Sequence, residues 1–258
     1  MSYILCLDVG NSNIFGGIFE NDKIIFRFRY DTRNTTTSDE LGLFLKSVLR
    51  ENNITIQEIK KIAICSVVPQ LDYSLIAACK KYFDIEPFGL QVGVKTGIKI
   101  KTAAPAEVGA DLISGVIAAT YRFPNKPIVV VDFGTVTTFA VMNAKKEFLG
   151  AVFLPGLRVA MESLRNNTAK LFQVEIKKPH DIVGRDTSEC IQSGLYYGHL
   201  GAIHEIVSRI KQEICCDQDP VIIGTGGFAH LFVDEKIFTV IEPDLVLEGL
   251  YLALLLNA

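Results

Sequence analysis

Two stretches of the chain share one pattern of apolar and polar positions. Each has an apolar run ending in an aspartate, a turn of glycine and small polar residues, and a second apolar run: "ILCLDVGNSNIFGGIF" (4–19) and "IVVVDFGTVTTFAVM" (128–142). Short apolar runs bounded by turn residues predict strands, so each stretch predicts a β-hairpin. Asp8 aligns with Asp132, about half the 258-residue chain away, which predicts one half-unit used twice.

The rest of the first half alternates between strand and helix patterns. "KIAICSVVP" (61–69) predicts a buried, β-branched strand that ends before its proline, and a further strand is predicted over 23–29. Apolar residues recur at helical spacing in 35–53, with Ser38 as the predicted N-cap. Helices are also predicted over 71–83 and 111–123.

The second half continues in the same way. After its hairpin, helices are predicted over 157–172 and 187–214, and "LVLEGLYLALLL" (245–256) predicts a closing helix. "PVIIGTGGFAHLF" (220–232) predicts a strand, a glycine turn and the start of a helix.

Intermixed strands and helices predict an α/β fold. No Pro/Gly-rich linker separates the two halves. We therefore expect two similar lobes, 1–124 and 125–258, with a ligand cleft between them.

Composition narrows the classes of function. The net charge of −3 does not favour a nucleic-acid or acidic-membrane partner. We expect no signal peptide, because Asp8 interrupts the first apolar run, and no membrane span. The six cysteines show no C-x-x-C spacing and predict buried thiols in a reducing, cytoplasmic setting; they are Cys6, Cys65, Cys79, Cys190, Cys215 and Cys216. His199 and His204 lack zinc-site spacing.

The repeated hairpin turn has the chemistry of a phosphate site. Each aspartate closes an apolar strand, and Gly10 and Gly134 follow at the second position, where backbone amides can approach a ligand. A carboxylate beside such amides suits Mg²⁺ bound with a phosphate. The alternative is a pair of ordinary hairpins with Asp-x-Gly turns. Since a charge at the end of an apolar strand costs free energy unless satisfied, its double occurrence favours a nucleoside triphosphate site.

"GTGGFA" (224–229) allows three interpretations. It fits the G-x-G-x-x-A pattern of a dinucleotide site, but the chain ends 14 residues after Asp244, the acidic residue such a site would need. It also fits a close-packed turn, at Gly226 and Gly227, that flanks the adenosine of a bound nucleotide. A plain tight turn is the third interpretation.

A third aspartate, Asp111, begins a predicted helix shortly after Gly109. It is either an N-cap or first-turn carboxylate, or the group that accepts a proton from a substrate hydroxyl during phosphoryl transfer.

Eight motifs in order resemble the type III pantothenate kinases over nearly the whole chain. They are "DVGNSN", "EVGAD", "DFGTVTT", "GAVFLPG", "NNTAKL", "GRDTSECIQSGLYYG", "GTGG" and "PDLVLEGL". The resemblance implies an actin-like ATPase fold of two duplicated ribonuclease-H-like lobes, and a homodimer. It implies ATP-dependent phosphorylation of pantothenate on its terminal hydroxyl, the first committed step towards coenzyme A, with Mg²⁺ and a monovalent cation (K⁺ or NH4⁺).

The resemblance also implies site residues. Asp111 would be the general base; Asp8 and Asp132 would bind the metal ions, with the monovalent cation at Asp132. Nucleotide-binding residues would be Asp8, Val9, Gly10, Asn11, Ser12, Asn13, Ile14, Phe15, Gly134, Thr135, Gly226 and Gly227. Gly109, Ala110, Asp111, Leu112 and Thr187 would line the pantothenate pocket, and Thr168 would reach the partner subunit's site.

One departure from the family pattern bears on the acceptor substrate. The family motif G-A-D-R here reads "GADL", so Leu112 replaces a guanidinium. "KTAA" before Pro105 is also poor in polar side chains, and Arg158, Arg165 or Lys101 are candidates for the missing charge. Two alternatives follow: a nucleotide-binding regulatory protein with weak or lost kinase activity, and a kinase for another small hydroxy compound.

Overall fold

A computed structural model describes residues 2–215 and 218–258. Cys216 lies outside them. Eleven strands are found in the described residues: β1 Tyr3–Val9, β2 Asn13–Glu20, β3 Lys23–Asp31, β4 Ile59–Ser66, β5 Phe88–Gly89, β6 Lys99–Ile100, β7 Ile128–Phe133, β8 Val136–Met142, β9 Glu147–Pro155, β10 Val221–Gly226 and β11 Val240–Ile241. Six α-helices are described: α1 Ser38–Glu51, α2 Pro69–Phe83, α3 Ala110–Arg122, α4 Leu157–Asn167, α5 Thr187–Glu213 and α6 Leu245–Leu256.

The chain forms two compact units. The first comprises Met1–Ile98, Ala103–Ala118 and Leu245–Ala258, and the second comprises Lys99–Thr102 and Ala119–Asp244. This division differs from the predicted 1–124 and 125–258 lobes, most clearly because α6 belongs to the first unit.

The two sheets share a five-strand topology, to which the second sheet adds the edge strand β6, parallel to β9. The first has the order β3-β2-β1-β4-β5, in which β1, β2 and β3 are antiparallel and β4 and β5 run parallel to β1. The second has the order β11-β10-β7-β8-β9-β6, where β7, β8 and β9 repeat the antiparallel part and β10 and β11 the parallel part. The predicted α/β fold with a duplicated half-unit is confirmed.

Burial explains why the first unit folds around β1. Alternate residues of this strand, Leu5, Leu7 and Val9, are buried in a core shared with α1 and α2. The other face of the sheet carries α6, where Phe19 stacks on Tyr251 with ring centroids 4.6 Å apart. Because α6 is apolar around most of its circumference, it is buried rather than amphipathic.

Several local predictions need correction. The N-cap of α1 is Thr37 rather than Ser38, because Thr37 forms a capping box with Glu40. The helix predicted over 157–172 ends at Asn167, where the Thr168 hydroxyl bonds back to the carbonyl of Leu164 at 2.9 Å. Strand β9, which completes the second antiparallel group, was not predicted.

In the described part of the chain, no helix combines the length and apolar character needed to cross a membrane. Four cysteines are buried and Cys190 is exposed; the buried ones are Cys6, Cys65, Cys79 and Cys215.

Candidate functional site

The first aspartate turn is a tight loop between β1 and β2. The amide of Gly10 donates to the carbonyl of Asn13 at 3.0 Å. Thr32, just after β3, braces the loop: its hydroxyl donates to the carbonyl of Gly10 at 2.7 Å and its amide donates to Ser12 O at 3.1 Å. Asn11 and Ser12 are exposed. The loop is therefore held open to solvent on a fixed backbone, and the sequence did not signal the part played by Thr32.

Not all predicted residues of this loop present a side chain. Val9 and Ile14 are buried in the core of the first unit, so only their backbone groups are available to a ligand. Asp8 is partly buried and lies in a row across the sheet with Phe15 on β2 and Arg29 on β3. The Arg29 guanidinium lies 4.1 Å from the centroid of the Phe15 ring, so Phe15 is occupied by a cation–π contact.

Asp111 is a first-turn residue of α3, not its N-cap, since the helix begins at Ala110. The amide of Leu112 donates to Oδ1 of Asp111 at 2.7 Å. Burial raises the pKa of the Asp111 carboxyl above its usual value, while backbone hydrogen bonds from Leu112 and from Asp111 itself oppose the rise.

The structure brings Asp111 to the first aspartate turn. Cys65 pairs with Asp8 across the parallel strands β1 and β4 and is buried. Burial raises the pKa of the Cys65 thiol well above its usual range, and the charges of Asp8 and Asp111 raise it further. Both carboxylates therefore lie at the carboxyl ends of β1 and β4, where ligands of α/β folds bind.

The second aspartate turn is also held by a backbone hydrogen bond and by close packing. Asp132 is partly buried at the end of β7, and Gly134 and Thr135 lead into β8. The amide of Gly156 donates to the carbonyl of Thr135 at 3.0 Å. A Cβ on Gly156 would overlap the carbonyl oxygens of Gly134 and Thr135. Gly156, the last residue of "GAVFLPG", is thus needed for this turn to pack against the start of α4.

The glycine turn after β10 adjoins Asp132. Gly226 has φ +86°, and a Cβ on it would overlap Oδ1 of Asp132 and the backbone of Phe133. Gly227 is exposed with open space around its Cα. A short 3₁₀ helix, Ala229–Glu235, follows instead of an α-helix, so the dinucleotide interpretation lacks the helix N-terminus that it requires.

Two threonine hydroxyls near Asp132 are buried without a hydrogen-bond partner among the described residues. They belong to Thr137 and Thr138; Thr138 pairs directly with Asp132 across β7 and β8, whereas Thr137 pairs with Phe133 and faces the other side of the sheet. Within residues 2–215 and 218–258, no group of three His, Cys, Asp or Glu side chains is able to hold a metal ion. A cation near Asp132 would therefore rely on one carboxylate, on hydroxyl oxygens and on ligand oxygens.

The remaining predicted substrate residues belong to both units. Gly109, Ala110 and Leu112 are partly buried in the first unit beside Asp111. Thr187 is the exposed first residue of α5, whose N-cap Asp186 accepts a hydrogen bond from the Glu189 amide at 2.9 Å.

Thr168 and the three candidate cations belong to the second unit. The Thr168 hydroxyl donates to Leu164 O at 2.9 Å and accepts from the Leu171 amide at 3.2 Å, which gives it a structural role at the end of α4. Arg165 donates to Gln173 at 3.1 Å, and the Lys101 ammonium lies 3.8 Å from a Glu147 oxygen. Arg158 is exposed.

Solved structures with similar folds support the architecture. Component A of (R)-2-hydroxyglutaryl-CoA dehydratase from Acidaminococcus fermentans matches 100% of this chain and 98% of its own, with a TM-score of 0.52 and 14% identity. The ethanolamine utilization protein EutJ from Carboxydothermus hydrogenoformans matches 98% and 90%, with a TM-score of 0.54 and 15% identity. At such identities the likeness shows the fold alone, and the predicted actin-like ATPase fold is confirmed.

Other proteins share far more sequence identity with this chain than these solved structures do. The family model described as type III pantothenate kinase matches residues 4–209. The chain is 57% identical over 254 residues to a type III pantothenate kinase of Legionella pneumophila (strain Paris), covering 98% of this chain and 99% of the relative. It is 47% identical over 247 residues to type III pantothenate kinase 1 of Francisella tularensis subsp. holarctica (strain OSU18), covering 96% of each. The family model and these relatives match most of the chain, and the aspartate turns and the duplicated fold agree with them. The chain belongs to the type III pantothenate kinase family.

Proposed function

We propose that this protein transfers the γ-phosphoryl group of ATP to the terminal hydroxyl of pantothenate, forming 4'-phosphopantothenate, the first committed step towards coenzyme A. The observation that carries the proposal is the cluster of Asp8, Cys65 and Asp111 at the ends of β1 and β4. It combines a carboxylate on a tight amide-bearing loop with a second, partly buried carboxylate on a helix N-terminus. Family membership supplies the identity of the acceptor.

The two aspartate turns are assigned to the nucleotide. Backbone amides of the exposed residues Asn11 and Ser12, and of Gly134 and Thr135, bind phosphate oxygens, while Gly226 and Gly227 flank the adenosine. Asp8 would hold Mg²⁺, and Asp132 would hold a monovalent cation, K⁺ or NH4⁺. The donor sets fit these groups: a strand-end carboxylate on an open loop at Asp8, and the unpartnered Thr138 hydroxyl opposite Asp132. Bound cations supply charge neutralisation on the phosphates.

Asp111 is the general base of the proposed reaction. It accepts the proton of the pantothenate hydroxyl as that oxygen bonds to the γ-phosphorus. The bond from this phosphorus to the β–γ bridging oxygen breaks, and ADP leaves. The Leu112 amide keeps the carboxylate oriented, and the positive end of the α3 dipole favours its ionised form.

Pantothenate is bound by Gly109 to Leu112 and by Thr187 in this proposal. Thr168 contributes from the partner subunit of a homodimer, and the enzyme acts in the cytoplasm.

A coupled ADP-release assay with pantothenate, Mg²⁺ and K⁺ tests the function. We expect turnover by the wild-type protein and a fall of roughly 10²–10⁴-fold in kcat for Asp111→Asn. Calorimetry should show that Asp111→Asn still binds nucleotide. Turnover of Asp111→Asn at the wild-type rate would remove Asp111 from the mechanism.

Leu112 favours a second candidate function, because it offers neither the charge nor the donors of the family arginine. A nucleotide-binding regulatory protein would bind ATP without turning over pantothenate and would gain activity in Leu112→Arg. Equal or lower activity of Leu112→Arg, beside an active wild type, rejects this candidate. The third alternative is a kinase with another acceptor. It is tested in the same assay with a panel of small hydroxy compounds, where turnover on one of them and none on pantothenate would support it.

A further inference from the structure

Gly109 and Asp111 make a close approach at the start of α3. A Cβ built on Gly109 would stand 2.5 Å from Oδ1 of Asp111, closer than real Cβ atoms come to an oxygen. The next nearest atoms, Cγ of Asp111 at 3.6 Å and Cγ1 of Val67 at 3.8 Å, are at ordinary contact distances. The carboxylate oxygen is therefore the one nearby atom that a side chain at 109 would displace.

The same oxygen is held from its other side. Oδ1 accepts the 2.7 Å hydrogen bond from the Leu112 amide, and α3 is anchored beneath it, since the Ile113 amide donates to Gly109 O at 3.2 Å. Val67 fixes the position relative to β1, because its amide donates to Val9 O at 3.1 Å. The bare Cα of Gly109 and the Leu112 amide together define where the carboxylate lies.

We propose that Gly109 is a positioning residue for the general base: its lack of a side chain lets Asp111 fold back onto the Leu112 amide through Oδ1, which leaves Oδ2 to take the substrate proton. This inference rests on the proposed function, and it assigns Gly109 a role separate from lining the pantothenate pocket. A methyl group at 109 pushes Oδ1 away from the amide and rotates Oδ2 out of its productive direction. Misplacement of a catalytic group by about 1 Å can cost about 10²-fold in rate.

The test compares Gly109→Ala with Gly115→Ala, which adds the same methyl group to the same helix. At Gly115 the nearest atom to a new Cβ is Leu245 Cδ2 at 3.9 Å, an ordinary contact. We expect Gly109→Ala to lower kcat by roughly 10–100-fold while its KM for ATP and its nucleotide affinity stay at the wild-type values. Gly115→Ala should keep the wild-type kcat.

A double variant separates positioning from a general structural effect. If Gly109 acts through the Asp111 carboxylate, adding Gly109→Ala to Asp111→Asn lowers kcat far less than it does in the wild type. Equal losses in both backgrounds would overturn the proposal. So would wild-type kcat in Gly109→Ala, or failure of that variant to fold, because the structure allows the fold to accept this methyl group.

Crystal structures of Gly109→Ala and Gly115→Ala give a readout that needs no turnover. Oδ1 of Asp111 should leave the Leu112 amide in the first variant and keep it in the second. An unmoved carboxylate in Gly109→Ala contradicts the positioning role even if the protein is a pantothenate kinase. If the carboxylate moves in Gly109→Ala but the wild-type protein shows no turnover, the effect of Gly109 on the position of Asp111 is supported and the proposed function is rejected.

Discussion

Asp132 and Gly226 lie at the ends of the adjacent parallel strands β7 and β10, and only a glycine at 226 leaves room for the Asp132 carboxylate. Gly226 follows Thr225, which pairs with Asp132, and it takes φ +86°, a conformation that side chains disfavour. A Cβ there would overlap Oδ1 of Asp132. The "GTGG" turn and the second aspartate, far apart along the chain, thus form one structural element of the second unit.

Gly226→Ala should destabilise the protein strongly. The positive φ alone costs roughly 1–2 kcal/mol for a residue with a Cβ, and the overlap with Asp132 and Phe133 adds to it. Urea unfolding should therefore show a loss of about 2 kcal/mol or more. Gly227→Ala, where a Cβ meets open space, is the matched control for stability and should lose much less. Similar losses in both variants would show that position 226 carries no special constraint.

Asp111→Asn should stabilise the protein near neutral pH although it strongly lowers turnover. Burial raises the pKa of Asp111 above 3.8 in the folded state, so the folded protein holds this proton more tightly than the unfolded chain does. Wild-type stability therefore falls as pH rises from the ordinary carboxyl pKa through the raised one. Because asparagine cannot ionise, the gain in free energy of unfolding of Asp111→Asn over wild type is largest above that pH interval and becomes smaller as pH falls.

The check is the free energy of unfolding of both proteins at several pH values between about 4 and 8. An Asp111→Asn protein that is less stable than wild type across the whole range would mean that ionised Asp111 stabilises the fold.

Thr32→Val should weaken nucleotide binding more than it weakens the fold. The substitution keeps the shape of the side chain but removes the 2.7 Å hydrogen bond to the Gly10 carbonyl. Such a bond contributes about 0.5–1.5 kcal/mol, and its loss frees the first aspartate turn. We expect a several-fold rise in the nucleotide Kd by calorimetry, with no such rise in Thr35→Val, an exposed neighbour in the same connection. An unchanged Kd would show that Thr32 does not brace the loop for binding.

Thiol reactivity should follow burial. Burial raises the pKa of the Cys79 thiol to about 12, with a further contribution from Glu86, and the thiolate is the reactive form. Native protein treated with iodoacetamide and mapped by peptide mass spectrometry should carry label on the exposed Cys190 well before Cys65 or Cys79. Denatured protein is the control, in which these thiols should react alike. Early labelling of Cys65 in native protein would show that the first aspartate turn opens readily.

Local patterns were enough to find most elements. Both hairpins, the helices α1, α2, α3, α5 and α6, and the strand before "GTGG" lie close to their predicted positions. The failures lie where local signals compete or are short: α4 ends at Asn167 because Thr168 caps it, and β5 and β11 have two residues each. Strand β9 was missed because its apolar run carries no strong alternation of apolar and polar residues.

The candidate site was predicted by residue type but not by arrangement. Asp8 and Asp132 could be chosen from sequence because a carboxylate at the end of an apolar strand costs free energy unless it is satisfied. Asp111 could be chosen because it lies in the family motif that here reads "GADL".

The supporting residues could not be predicted: Thr32 and Gly156 act through contacts between separate segments. The close approach of Gly109 to Asp111 is local, but it depends on the Asp111 side chain folding back onto the Leu112 amide.

The amino-acid sequence by itself determined the α/β class, the repeated hairpins and the family, since these follow from periodicity and from motifs read along the chain. Only the tertiary structure decided that Asp8 and Asp111 both lie near Cys65, that Gly226 makes room for Asp132, and that α6 completes the first unit. The physical reason is that strand pairing and close packing join residues distant in the chain, and a pattern of hydrophobic positions sets which face is buried without specifying which atoms meet there.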